Sequence, residues 1–165
     1  MATIGLFGTC GGSKWRNSFI EEYEKRGISY FNPQVDNWHP GLIEIENRHL
    51  REDEIILFPV TSETPGQGSL GETGYSIAAA LRSNRLRYFI FMIEDECNDP
   101  TASPSQIADS NRSRKLVKSK LRDEARGCFN VFLVDTIEEM LHISISLHEI
   151  CQRQEEVESS YTEIA

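Results

Sequence analysis

No stretch of this sequence stays apolar for the roughly 18 residues a bilayer-spanning helix needs, which excludes a transmembrane helix. Cysteine is sparse. Cys10, Cys97, Cys128 and Cys151 form no CxxC pair and no zinc-ribbon spacing, so neither a disulfide framework nor a structural metal is expected. His39, His49, His142 and His148 form no HExxH pattern. Basic residues are in deficit, with 17 Lys and Arg against 26 Asp and Glu and a net charge of -9. That balance repels polyanions and argues against a nucleic acid polymer as partner, while leaving a single nucleotide within reach of a few local donors. No repeat, linker or low-complexity segment interrupts the chain, and GxxxxGK[ST] is absent.

What is present is an ordinary globular composition, 39% hydrophobic and 26% charged over 165 residues, enough for one domain with its own core. The opening segment 3–8 reads as a buried strand and not as a signal peptide. Further strands are expected at 28–31, 54–60, 87–93 and 128–134, with Pro59 ending the ladder of the third. Helices are expected at 15–25, 41–51, from the loop 65–71 through 82, at 105–126 and from 136 onward, leaving 152–165 as a polar, acidic C-terminal tail. Six basic residues on the fourth helix (Arg112, Arg114, Lys115, Lys118, Lys120, Arg122) read as a solvated face. Strands alternating with helices imply an α/β fold: a flavodoxin-like or half-Rossmann three-layer sandwich with a parallel sheet of about five strands. Ligands of such folds bind beyond the carboxyl ends of the strands. The loops 9–16, 32–40, 61–72 and 94–104 are therefore the ones to read for chemistry.

The first loop, Gly8-Thr9-Cys10-Gly11-Gly12-Ser13-Lys14-Trp15-Arg16, is a tight turn capped by Ser13 or a ligand cradle built from backbone N–H groups and a helix N-terminus. Its Thr9, Ser13, Trp15 and Arg16 favour the cradle. Cys10-x5-Arg16 also has the spacing of a cysteine phosphatase anion site, with Asp99 in a later loop as its acid. In the second loop Asn32 and Pro33 suit a turn, whereas Gln34, Asp36 and Trp38 together suit a flat heterocycle: stacking plus edge hydrogen bonds. Equally, Trp38 plugs the edge of the core and Asp36 caps a helix.

The third loop, from Pro65 to Tyr75, has three readings. Ser69-x-x-Glu72 is a capping box. Gly66-x-Gly68-x-x-Gly71, with Glu94 further on, is a weak dinucleotide fingerprint. Alternatively, Glu72 is a carboxylate at a helix N-terminus, where the dipole favours its ionised form, facing a pocket as a nucleophile or oxocarbenium stabiliser.

Taken in order, these pieces resemble the nucleoside 2-deoxyribosyltransferase-like family. The match runs through Phe7-Gly8-Thr9-Cys10, Ser13-x-Trp15-Arg16, Tyr30-Phe31-Asn32-Pro33-Gln34-Val35-x-x-Trp38, Glu46, the strand 55–58 and Ser69-x-x-Glu72. The resemblance implies a flavodoxin-like fold and an enzyme that cleaves the N-glycosidic bond of a nucleoside or nucleotide, by base exchange or hydrolysis. It implies Glu72 as nucleophile and Asp36 as the group that orients the sugar or manages the base proton. Thr9, Cys10, Ser13, Trp15, Arg16, Asn32, Gln34, Trp38, Glu46 and Ser69 would then hold the substrate. It further implies a homo-oligomer acting on a small nucleoside, nucleotide or nucleobase; no cofactor is expected, and the scattered cysteines suit a reduced, cytoplasmic setting. Glu63 stands where some relatives carry an Asp. The same similarity allows a non-catalytic nucleotide-binding module, and the Cys10-x5-Arg16 phosphatase is the alternative from spacing.

Overall fold

The computed structural model describes residues 2–37, 39–82 and 86–162. Ten elements alternate without exception: β1 (Thr3–Leu6), α1 (Arg16–Arg26), β2 (Ser29–Phe31), α2 (Leu42–Glu52), β3 (Ile55–Val60), α3 (Gln67–Arg82), β4 (Tyr88–Ile93), α4 (Pro104–Ala125), β5 (Val131–Val134) and α5 (Ile137–Thr162). The five strands form one parallel sheet in the order β2-β1-β3-β4-β5, the flavodoxin-like three-layer arrangement. Among the described residues no helix is long and apolar enough to cross a membrane.

The central strands are apolar at every position because both faces are covered. Ile55, Leu57, Tyr88, Ile90 and Met92 pack beneath α1 and α5, with Phe19, Tyr23, Met140 and Leu147 opposite them. Their sequence neighbours Ile56, Phe58, Phe89, Phe91 and Ile93 face the other way, against Leu70 of α3 and Leu121 of α4. The period of two along each strand thus divides one apolar run between two cores.

Four local expectations change. The ladder does not stop at Pro59 on both sides. Toward β4 it continues through the Val60–Ile93 pair, but toward β1 it ends at the Leu6–Leu57 pair. Proline lacks the N–H that the next rung toward β1 requires. Its carbonyl still accepts from the Thr9 backbone at 2.9 Å. The last strand begins at Val131, not at 128, because Gly127 and Cys128 extend the helical turn by donating to Glu124 and Ala125. The polar segment after 152 continues α5 as helix to Thr162. Arg114 is not on a solvated face; it is wholly buried.

Where β1 ends, the chain turns sharply against Pro59. Gly8 has φ of 97°, and a Cβ there would lie 2.4 Å from the Pro59 carbonyl oxygen. Both the left-handed backbone and the contact require glycine. Gly8→Ala is therefore expected to cost about 2–3 kcal/mol in urea unfolding, by the usual scale for strained backbone and overpacking. A loss under about 0.5 kcal/mol, the scale of a neutral surface change, would contradict this account of the turn.

Candidate active site

A cavity of about 550 Å³ opens at the carboxyl ends of β1 and β2, between α2 and α3. It lies beside β1, which has β2 on one side and β3 on the other, so strand order reverses there, the switch point at which open α/β sheets bind ligands. Four segments form its walls. Phe7, Gly8, Cys10 and Gly11 follow β1, and Pro33 to Asp36 follow β2. Glu46, Asn47 and Leu50 lie on α2, and Glu72 projects from α3. Phe7, Pro33, Val35 and Leu50 supply an apolar surface. Among the described lining residues the charges are all negative: Asp36, Glu46 and Glu72, with no Lys, Arg or His.

Glu72 is not at a helix N-terminus. Gly66, with φ of 66°, makes the turn, and α3 already begins at Gln67. Glu72 therefore sits beyond the first turn, where the helix dipole has faded. Nor does it form a capping box, because Ser69 lies inside the helix, where its backbone carbonyl accepts from Thr73 Oγ1 at 2.8 Å. Position 72 still has solvent at the cavity mouth. Even so, the surrounding protein desolvates the carboxylate, and this raises its pKa above the ordinary value of 4.5; the charge of Glu46 raises it further. The expectation of a dipole-favoured, readily ionised group is thereby reversed. Among the described residues no hydrogen bond or ion pair occupies this carboxylate.

The first two loops are tied together by side chains expected to hold substrate. Arg16 is 1% exposed. Its Nε donates to the Leu6 carbonyl at 2.9 Å and its NH1 to the Thr9 carbonyl at 2.6 Å and Gln34 Oε1 at 3.3 Å, while NH2 reaches Cys10 Sγ at 3.5 Å. Gln34 Nε2 in turn donates to the Gly11 carbonyl at 2.7 Å. The guanidinium is thus turned inward onto the loop, and the open anion cradle that the Cys10-x5-Arg16 spacing suggested is not formed. Asp99 is also away from the cavity, held by Thr101 at 2.7 Å.

Other expected substrate contacts are structural in placement. Trp15 is 6% exposed; its Nε1 donates to the Thr9 carbonyl at 3.0 Å and its ring meets Phe19 edge-on. Buried Thr9 accepts from the Thr61 backbone at 3.0 Å, and buried Ser13 donates to Glu63 Oε1 at 3.1 Å. Ser69 is buried in α3, away from the cavity. Asn32 turns its own loop by accepting from the Gln34 backbone at 3.0 Å and faces a small hollow beside Leu42 and Ile45. Trp38 lies outside the described residues. The structure therefore brings Cys10, Gln34, Asp36, Glu46 and Glu72 to one cavity and leaves Thr9, Ser13, Trp15, Arg16, Asn32 and Ser69 around its frame. Asn47 and Leu50 line it without having been expected. The signal was available for Leu50, four residues after Glu46 and hence on the same helix face.

The raised pKa of Glu72 has a consequence for stability. The folded state holds this proton more tightly than the unfolded chain does. The group's stabilising contribution is therefore complete below the ordinary carboxyl range and is lost as pH rises through the folded value. Glu72→Gln removes the cost of ionising a desolvated carboxyl beside Glu46. It is expected to resist urea better than wild type at pH 7, with the advantage gone at about pH 4. A variant less stable than wild type at neutral pH would refute this.

One of three comparisons assigns the chain to a family of known proteins. No curated protein matches it. Among solved structures, the TIR domains in the structure of the activated Roq1 resistosome directly recognizing the pathogen effector XopQ align at 12% identity, over 76% of this chain and 73% of that one, with a TM-score of 0.44. The model of the family described as nucleoside 2-deoxyribosyltransferase like matches residues 2–85, just over half of the chain and the part that carries the whole cavity wall. The chain belongs to the nucleoside 2-deoxyribosyltransferase-like family.

Proposed function

We propose that the protein cleaves the N-glycosidic bond of a 2'-deoxynucleoside through Glu72 and passes the sugar to a second base or to water. The observation that carries this reading is the Glu72 carboxylate itself: it lines the cavity, has no partner among the described residues, and faces a wall made by the 33–36 loop and α2. In the first step a Glu72 oxygen attacks the anomeric carbon as the bond to the base nitrogen breaks, and the bonding pair leaves with the base. The incoming base or water reverses that step, as in retaining glycoside hydrolysis.

The leaving base needs a proton. Asp36 and Glu46 are the other carboxyl groups in the cavity. Asp36, which lines the same cavity, is the group we assign to relay a solvent proton to the leaving base. Glu72 must be ionised to attack, so its raised pKa places the acid limb of activity above the usual glutamate range. Phe7, Val35 and Leu50 provide the apolar surface for a base. Three carboxylates and no cation among the described lining residues favour an uncharged nucleoside over its 5'-monophosphate, whose phosphate would meet only like charge.

Incubation of a deoxynucleoside with a different free base tests the proposal directly. Wild type is expected to form the new deoxynucleoside, and Glu72→Ala to lose about 1000-fold or more in turnover, the scale of a lost nucleophile. Cys10→Ser should still exchange bases. Mass spectrometry of wild type quenched during turnover should find the sugar attached at Glu72. An active Glu72→Ala beside an inactive Cys10→Ser would overturn the proposal. So would thermal stabilisation by nucleosides without turnover of any of them, which would indicate a binding module. The matching 5'-monophosphate should react at least about tenfold more slowly, a difference of one like-charge contact.

A further inference from the structure

Arg114 belongs to none of the cavity walls, yet it is fully buried on the inward stripe of α4, between Ser110 and Leu121. A guanidinium has five N–H donors in a fixed fork. Here each has an acceptor. Nε donates to Ser110 Oγ at 3.0 Å, and NH1 to the Val60 and Glu94 carbonyls, each at 3.1 Å. NH2 donates to the Thr61 carbonyl at 2.8 Å and the Thr64 carbonyl at 2.7 Å. Ser110 completes the clamp by donating to the Pro65 carbonyl at 2.8 Å.

All but one of these carbonyls belong to the end of β3 and the turn into α3. Gly66 closes that turn against the clamp. A Cβ at Gly66 would come within 2.8 Å of Val60 Cγ1 and 3.3 Å of Arg114 NH2. The first bond of α3 follows at once, with the Leu70 backbone donating to the Gly66 carbonyl at 2.9 Å. Glu72 stands six residues beyond Gly66 on the same rigid helix. A shift of the turn therefore becomes a shift of the carboxylate.

We propose that Arg114 is a positioning residue whose guanidinium fixes where α3 begins and thereby how far Glu72 reaches into the cavity. The proposal rests on the reading of Glu72 as the nucleophile. Lysine cannot substitute: its ammonium has three donors and no planar fork, and cannot hold the carbonyls of Val60, Glu94 and the turn together. A reacting group displaced by about 1 Å loses rate much more than binding, by around 100-fold.

Arg114→Lys and the milder Ser110→Ala, made in the full chain, test this by two readouts. The first is base-exchange kinetics. The second is the pH titration of the Glu72 carboxyl carbon by 13C NMR, assigned with Glu72→Gln. Arg114→Lys is expected to lower kcat about 100-fold with KM within about threefold, and Ser110→Ala to lower kcat about tenfold. In both, Glu72 should titrate at a pH different from wild type, because its distance from Glu46 has changed. Should Arg114→Lys fail to fold, Ser110→Ala carries both readouts.

A loss of activity matched by the loss of folded protein, with Glu72 titrating as in wild type, overturns the proposal. So does unchanged kcat. Wild-type protein that turns over no nucleoside sinks the glycosyl-transfer reading alone. The carboxyl titration then decides whether Arg114 sets the environment of Glu72, and an unmoved titration refutes it.

Discussion

Two guanidinium groups buried without a hydrogen-bonded carboxylate hold up the cavity-bearing end of this molecule. Arg16 and Arg114 both lose solvation, and burial lowers the pKa of each. Buried charge is costly unless its hydrogen bonds are met. Here they are met largely by backbone carbonyls of the strand-end loops: Leu6 and Thr9 for one, Val60, Thr61, Thr64 and Glu94 for the other. Loops rich in glycine have little packing of their own to fix them. Each arginine supplies a rigid centre in place of a core. The first loop, the turn into α3 and the end of β4 take their shape from these two side chains.

This division of labour explains why the cavity itself is acidic. Its described wall carries three carboxylates, while two cations nearby face inward. The positive charges shape the backbone and are not offered to a ligand. The open groups are the carboxylates, together with Asn47 and an apolar surface from Phe7, Val35 and Leu50. Such a wall presents apolar surface and acid groups, and among its described residues no cation.

The alternation of strands and helices was legible because β3 and β4 are bare apolar runs and the helical segments between them are polar on one side. Glu72 and the 33–36 loop were legible as residue types crowded at strand ends. The start of α3 was not. Gly68, Gly71 and Gly74 each lower helix propensity by about 1 kcal/mol relative to alanine, so the segment reads as loop. Burial of Leu70 and Thr73 against the sheet decides otherwise. Arg16 and Trp15 read as ligand groups because their chemistry suits ligands, and nothing local to them reveals that the chain folds over both. Arg114 was hidden among five other basic residues of one helix. Its position on the stripe with Ser110, Val117 and Leu121 was the one sign that it pointed inward.

Pro59 carries a consequence for where the first loop begins. Two parallel strands side by side would ordinarily keep zipping toward their ends, and the seam between β1 and β3 would close. An imide nitrogen at that point has no proton to offer. The β1–β3 ladder stops at the Leu6–Leu57 pair, the chain turns at Gly8, and the Thr9 backbone returns to the Pro59 carbonyl, while β3 and β4 stay laced through Val60 and Ile93. The turn that sets Gly8, Cys10 and Gly11 on the cavity wall thus begins where the covalent structure of one residue ends the ladder.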